Sequence, residues 1–199
     1  MLEQAQALNP RDTDPRDTDP RETIVRSSLE IFYRDGIKGT DVTKVIERAG
    51  VSESLFYQTF SSKEDLVLAF LHKRHEIWMA WFTSEVEAKL SQPGAKLEVI
   101  ADVLQSWFED PSFRGCAFIN TVAEGGKFDS EPFTIAREHK EELKQFLQGV
   151  AAKLNHSEPE LTAAAAVLVI EGAIVRAQMT GDAHEAYNAR LLLQCLNHS

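Results

Sequence analysis

Apolar residues in this chain recur every three to four positions, and the runs are interrupted by Gly and Pro rather than by alternation. Ile24, Ser28, Ile31 and Phe32 fall at i, i+4, i+7 and i+8, with Val25 and Leu29 widening the stripe. That is the period of a helix buried along one side. No two-residue alternation and no Asn-Gly hairpin signal is present, so strands have no foothold. The pattern therefore predicts an all-α chain of about nine helices.

The breaks place the helices. A first helix opens near Pro20 and stops at Gly36, reinforced by Gly39. A second starts at Thr40 or Asp41, buries Val42, Val45, Ile46 and Ala49, and ends at Gly50. Ser52 suits the cap of a short third helix. Ser61 with Glu64 forms a candidate capping box for a long helix over 62–90. Pro93-Gly94 breaks that helix, and Leu97 to Phe108 forms the next apolar face. Further helices are expected over 113–123, stopped by Gly125-Gly126, then over 133–154, 161–180 and from Asp182 to Leu196.

Charge is unevenly spread. The 199 residues carry 21 Lys or Arg against 31 Asp or Glu, a net of −10. Residues 21–75 hold nine basic against eight acidic side chains, whereas residues 76–199 hold ten against eighteen. A near-neutral N-terminal segment thus stands apart from an acidic remainder, which suggests two parts with different jobs. The hydrophobic fraction of 43% is that of a globular protein. Two distant cysteines, Cys116 and Cys195, give neither a disulfide framework nor a zinc cluster. No secretory signal is visible, and the apolar run 161–177 is too short and too charged for a membrane span. A cytoplasmic protein is expected. Residues 1–20 contain the tandem pentapeptide Arg-Asp-Thr-Asp-Pro, whose composition predicts a solvated tail ending at Pro20.

Two short helices joined by a tight Gly-containing turn make a helix-turn-helix. The third helix directs Val51, Leu55 and Phe56 inward and leaves Ser52, Glu53, Ser54, Tyr57 and Gln58 outside. Small and polar side chains on such a helix can approach base edges in a major groove. Thr40, Tyr57 and Lys63 suit phosphate contacts, and Thr43 and Lys44 complete the expected DNA-facing set.

The run Ile24-x6-Ile31-Phe32-x3-Gly36-Ile37-x2-Thr40-x-Val42-x2-Val45-Ile46-x2-Ala49-Gly50-Val51-Ser52-x2-Leu55-Phe56-Tyr57-x2-Phe60-x2-Lys63-Glu64-x-Leu66 resembles the N-terminal DNA-binding domain of TetR-family transcriptional regulators. The resemblance covers about Arg21 to Leu71. It departs at Glu53 and Ser54, where the family often has a basic or small residue followed by Gly or Ala. Glu53 repels phosphate; it can accept from a cytosine amino group or complement the helix dipole.

Beyond the disordered tail expected from composition (1–20), the resemblance implies a three-helix DNA-binding domain (21–67) and a six-helix ligand-binding and dimerisation domain (68–199). It implies a homodimer that binds a palindromic double-stranded operator and answers to a small-molecule inducer, most simply as a repressor. Its last two long helices would pair across a two-fold, which points to Ala163, Ala164, Val167, Leu168, Ile170, Ile174, Leu191, Leu192 and Cys195; an intramolecular core is the alternative. For the ligand, the middle helices offer Trp78, Trp81, Phe82, Trp107, Phe108 and Phe113, with Cys116, Asn120, His139 and Glu171 as further candidates. Further aromatics, Phe118, Phe133 and Phe146, and polar anchors at His75, Arg176 and Gln178 belong to the same region. Cys116 and Asn120 would lie one helical turn apart. Cys116 is either a small buried hydrophobe or, beside a cation, a reactive thiol.

No catalytic triad, phosphate loop, dinucleotide turn or metal-spaced cluster is present, and His72 with His75 lacks a third ligand. Neither an enzyme nor a cofactor or metal is expected. The competing reading is an interaction or sensor protein that keeps the helix-turn-helix without a specific operator.

Overall fold

The computed structural model describes residues 19–125 and 128–197. Among the described residues there are nine helices and no strand: α1 (Pro20–Asp35), α2 (Val42–Ala49), α3 (Glu53–Thr59), α4 (Lys63–Leu90), α5 (Val99–Phe108), α6 (Ala117–Ala123), α7 (Glu131–Lys153), α8 (Pro159–Thr180) and α9 (Glu185–Leu196). The pentapeptide repeat lies outside the described residues except for its final Asp19 and Pro20. Those two start α1. The Asp19 carboxylate accepts from the Arg21 amide at 2.9 Å, and Pro20 occupies the first helical position, where its missing N–H costs nothing.

Two compact units are present. The first joins the described residues up to Ile77 with Ala117–Ala136; the second joins Trp78–Cys116 with the described residues from Arg137 onward. Helix α4 contributes to both.

In the first unit α1 packs against α2 and α3. Ile24, Phe32, Val45, Phe56, Phe60, Leu66, Phe70 and Leu71 are buried there, and Phe32 meets Phe70 edge-to-face at 5.3 Å. The Arg74 guanidinium is also buried and lies over the Tyr33 ring at 4.1 Å, so the aromatic face meets part of the cost of burying its charge.

In the second unit α9 packs on α8 and α5. Leu97, Ile100, Leu104, Leu143, Leu147, Ala163, Ile170 and Leu193 form its core. Arg190 on α9 pairs with Asp102 on α5. The Asn197 side-chain amide donates to Glu98 at 2.7 Å. Arg176 donates to the buried Glu185 carboxylate at 2.7 Å, tying the end of α8 to the start of α9.

Three expected boundaries shift for local reasons. Helix α4 is capped by Ser62 rather than Ser61: Ser62 Oγ accepts from the Asp65 amide, while the Ser61 amide donates to the Asp65 carboxylate. The return bond from Asp65 thus reaches Ser61, the residue before the cap, and not Ser62 itself. Helix α6 begins at Ala117, so Phe113 to Cys116 precede it. Gly115 there has φ +79°, which a continuing helix cannot accommodate. Asp182 accepts from the His184 amide in the turn before α9 instead of capping that helix directly.

Candidate functional site

The α2–α3 pair is fixed at both ends of its turn. Asp41 caps α2, its carboxylate accepting from the Thr43 amide and hydroxyl, each at 2.8 Å. Those bonds, the backbone one foremost, hold its pKa below the usual carboxylate value. At the other end Gly50 is left-handed, with φ +66°. Its amide donates to the Glu47 carbonyl and the Val51 amide to the Ile46 carbonyl, a Schellman closure that reverses the chain within two residues. Ser52 then caps α3 by accepting from the Leu55 amide at 3.1 Å. Phe56 is fully buried and anchors the helix, a contribution of about 2 kcal/mol. Tyr57 packs its ring edge-to-face on Phe56 at 5.1 Å.

This geometry leaves Ser52, Glu53, Ser54, Tyr57 and Gln58 exposed on α3, and Thr43 and Lys44 exposed on α2. Gln58 donates to the Ser54 hydroxyl at 3.4 Å. The Glu53 carboxylate makes no ion pair or side-chain hydrogen bond with the described residues. Thr40 and Lys63 are placed otherwise than the sequence suggested. Thr40 is buried and its hydroxyl donates to the Gly36 carbonyl at 2.6 Å. The Lys63 ammonium donates to the Thr40 carbonyl at 2.6 Å. Both side chains hold the lead-in to α2 against the start of α4, because the loop between α1 and α2 would otherwise leave carbonyls unsatisfied.

Glu124, just beyond α6, was not visible as a site residue in the sequence. Its carboxylate accepts from the Ile37 amide at 3.1 Å and the Lys38 amide at 2.6 Å, clamping the turn between α1 and α2. Gly36 permits this: with φ +80° and ψ 160° it occupies backbone space reserved for glycine. A Cβ there would also lie 2.9 Å from the Glu124 carboxylate. Ile37, Lys38 and Glu124 also line a cavity of about 450 Å³ with Val67, Thr121 and Pro132 among its other walls.

In the second unit the sequence-nominated aromatics come together. Trp78 stacks on Phe82 at 4.7 Å and meets Trp107 at 5.6 Å and His139 at 5.2 Å, both edge-on. Trp81 touches Trp78, Phe82 and Trp107. Phe113 joins through Trp107 and Phe108, and Phe146 through Phe82. The Trp78 indole N–H is buried and finds no acceptor among the described residues. Lys140 lies between two other candidates, 3.5 Å from the buried Cys116 sulfur and 3.3 Å from Glu171. Asn120, Phe118 and Phe133 belong to the first unit, Asn120 and Phe118 on α6 and Phe133 on α7. Because α6 starts after Cys116, Cys116 and Asn120 do not share a helical face.

Helix α8 is apolar on both sides. Thr162, Ala163, Ala166, Ile170, Ala173, Ile174 and Ala177 are buried within the unit. Ala163, Ile170 and Ile174 are therefore core residues of the protomer and unavailable to a partner, as the intramolecular alternative anticipates. The opposite stripe, Leu161, Ala165, Leu168, Gly172, Val175 and Met179, advances by alternating steps of four and three, the spacing of a helix-pairing seam. Leu161, Leu168 and Met179 are 63%, 72% and 80% exposed. Leu191, Leu192, Tyr187 and Cys195 are exposed on α9; Ala164 and Val167 are half-buried. No helix among the described residues is long and apolar enough to cross a membrane.

Residues 24–70 match the model of bacterial regulatory proteins of the TetR family. The uncharacterized HTH-type transcriptional regulator YezE of Bacillus subtilis is 25% identical over 126 residues, which is 61% of each chain. The alignment thus spans about three-fifths of that relative's length. Among solved structures, SCO4454, a TetR-family transcriptional regulator of Streptomyces coelicolor, superposes with a TM-score of 0.79 at 21% identity, covering 90% of this chain and 94% of that one. The TetR-type regulator sav143 of Streptomyces avermitilis gives a TM-score of 0.74 at 26% identity, covering 90% and 99%.

Proposed function

We propose that this chain, which the family model, the curated relative and the solved structures support as a TetR-family transcriptional regulator, acts in the cytoplasm as a homodimeric repressor that reads a palindromic operator and is released by a small molecule. The observation that carries this reading is the outward face of α3. A helix of seven residues, capped at Ser52 and pinned by Phe56, presents small and polar side chains and nothing apolar except the Tyr57 ring. That is a surface for base edges and phosphates, not for a protein groove. Ser52, Ser54, Tyr57, Gln58, Thr43 and Lys44 are the proposed DNA contacts.

The exposed seam of α8 with Leu191 and Leu192 supports a second copy of the chain as partner. A contiguous apolar stripe of this kind is costly in water and suits pairing across a two-fold. Two α3 helices would then meet successive major grooves about 34 Å apart. The ligand would lie among Trp78, Trp81, Trp107 and their neighbours, where an acceptor on the ligand satisfies the Trp78 indole N–H. Helix α4 supplies Trp78, Trp81 and Phe82 to that cluster and Leu66 and Phe70 to the DNA-binding unit, so a ligand that prefers one arrangement of α4 biases the other end.

The test is selection of bound fragments from sheared genomic DNA by the ligand-free protein at moderate salt. A recovered pseudo-palindrome is expected. Equal recovery of all fragments would favour the alternative, an interaction protein built on the same scaffold.

A further inference from the structure

Glu53 is the odd residue of the DNA-facing surface. Several acidic side chains of the first unit are occupied, although Glu47 and Glu64 are exposed without an ion pair among the described residues. Glu22 pairs with Arg26, Glu30 with Arg34 and Arg48, and Asp35 with Arg34. Asp41 and Asp65 serve helix caps, and Glu124 clamps two amides. Glu53 has no such partner either, and it is the acidic residue of α3: it sits at the first position of that helix, exposed with Ser54 and Gln58. The cap of α3 is already made by Ser52, so the helix does not need Glu53 to close. Near DNA an unpaired carboxylate meets phosphate repulsion unless a base offers it a donor.

Base-edge chemistry narrows that donor to one class. An ionised carboxylate only accepts hydrogen bonds. In the major groove guanine presents O6 and N7 and thymine presents O4, all acceptors that repel it. Adenine offers an N6 amino group but sets the N7 lone pair beside it. Cytosine offers its N4 amino group with no acceptor alongside. We propose that Glu53 is a specificity-determining residue that reads a cytosine in each operator half-site. This rests on the DNA-binding function proposed above.

The experiment is selection from a randomised palindromic duplex library by the full-length wild-type protein, E53Q and E53A, with affinities measured on the winning sequences. Gln keeps the shape of Glu but adds a donor, which suits the N7 and N6 pair of adenine. Wild type is expected to favour C over the other bases about tenfold at one symmetry-related position per half-site. E53Q is expected to move that position from C to A, and E53A to leave it degenerate, with the remaining positions unchanged. If E53Q and E53A keep the wild-type sequence preference and bind all DNA more tightly, Glu53 is merely repulsive and the proposal is overturned. If wild type enriches no sequence at all, the operator-reading function itself fails, and base reading with it. Thermal melts of all three proteins establish that the variants are folded.

Discussion

Ser52 has two duties at one position: its hydroxyl caps α3 and lies on the face that would meet DNA. Replacing it with Ala removes an acceptor for the Leu55 amide, at a cost of about 1 kcal/mol. For a chain of this size that is a fall of roughly 3 °C in Tm, read by circular dichroism. An unchanged melt would show that the cap carries no stability. A second residue-scale effect belongs to Glu185. The bond from Arg176, then that from Asn188, hold its pKa below the ordinary 4.5. A carboxylate depressed in the folded state stabilises at pH values above its unfolded pKa and loses that contribution as pH falls through the folded one. E185Q should therefore be less stable than wild type at neutral pH, with the gap closing below about pH 4.5. A gap that stays constant from pH 7 to pH 3 would contradict this account of the pair.

At the scale of elements, the loop between α1 and α2 is governed from afar. Glu124 supplies the acceptors for Ile37 and Lys38 across 87 and 86 residues. E124A should cost about 1.5 kcal/mol, or roughly 5 °C in Tm, and should loosen the entry to α2. Faster amide exchange at Ile37 and Lys38 than in wild type is the direct readout; equal rates would remove Glu124 from this role. The contrast with the helices themselves is physical. Apolar period, the cap at Ser52 and the break at Gly50 are local, so the nine helices among the described residues and the faces of α1 to α3 were legible in the sequence. The clamp of Glu124, the internal duty of Thr40 and Lys63, and the burial of Ala163, Ile170 and Ile174 depend on which distant element arrives opposite them. Period alone marked α8 as apolar without dividing its two sides. The aromatic cluster was legible in part because Trp78, Trp81 and Phe82 share one turn of α4 and Trp107 adjoins Phe108 on α5, whereas Lys140, between Cys116 and Glu171, gave no signal of its own.

At the scale of the whole molecule, the two sides of α8 connect folding to function. One side completes the protomer; the other, with α9, is the proposed seat of a second copy. Leu168, at the middle of the exposed seam and 72% exposed, is the position to change. Because its side chain lies in solvent in the protomer, L168K should leave Tm of the isolated chain nearly unaltered while placing like charges face to face across a two-fold. Two copies joined through this seam would carry two α3 helices to one palindrome. Sedimentation equilibrium of wild type and L168K, each alone and with the recovered operator fragment, tests it most directly. Wild type is expected to be a dimer that binds one fragment per two chains, and L168K a monomer that no longer forms that complex. A wild-type monomer that binds the fragment as one chain, or an L168K protein that remains dimeric and bound, would contradict it.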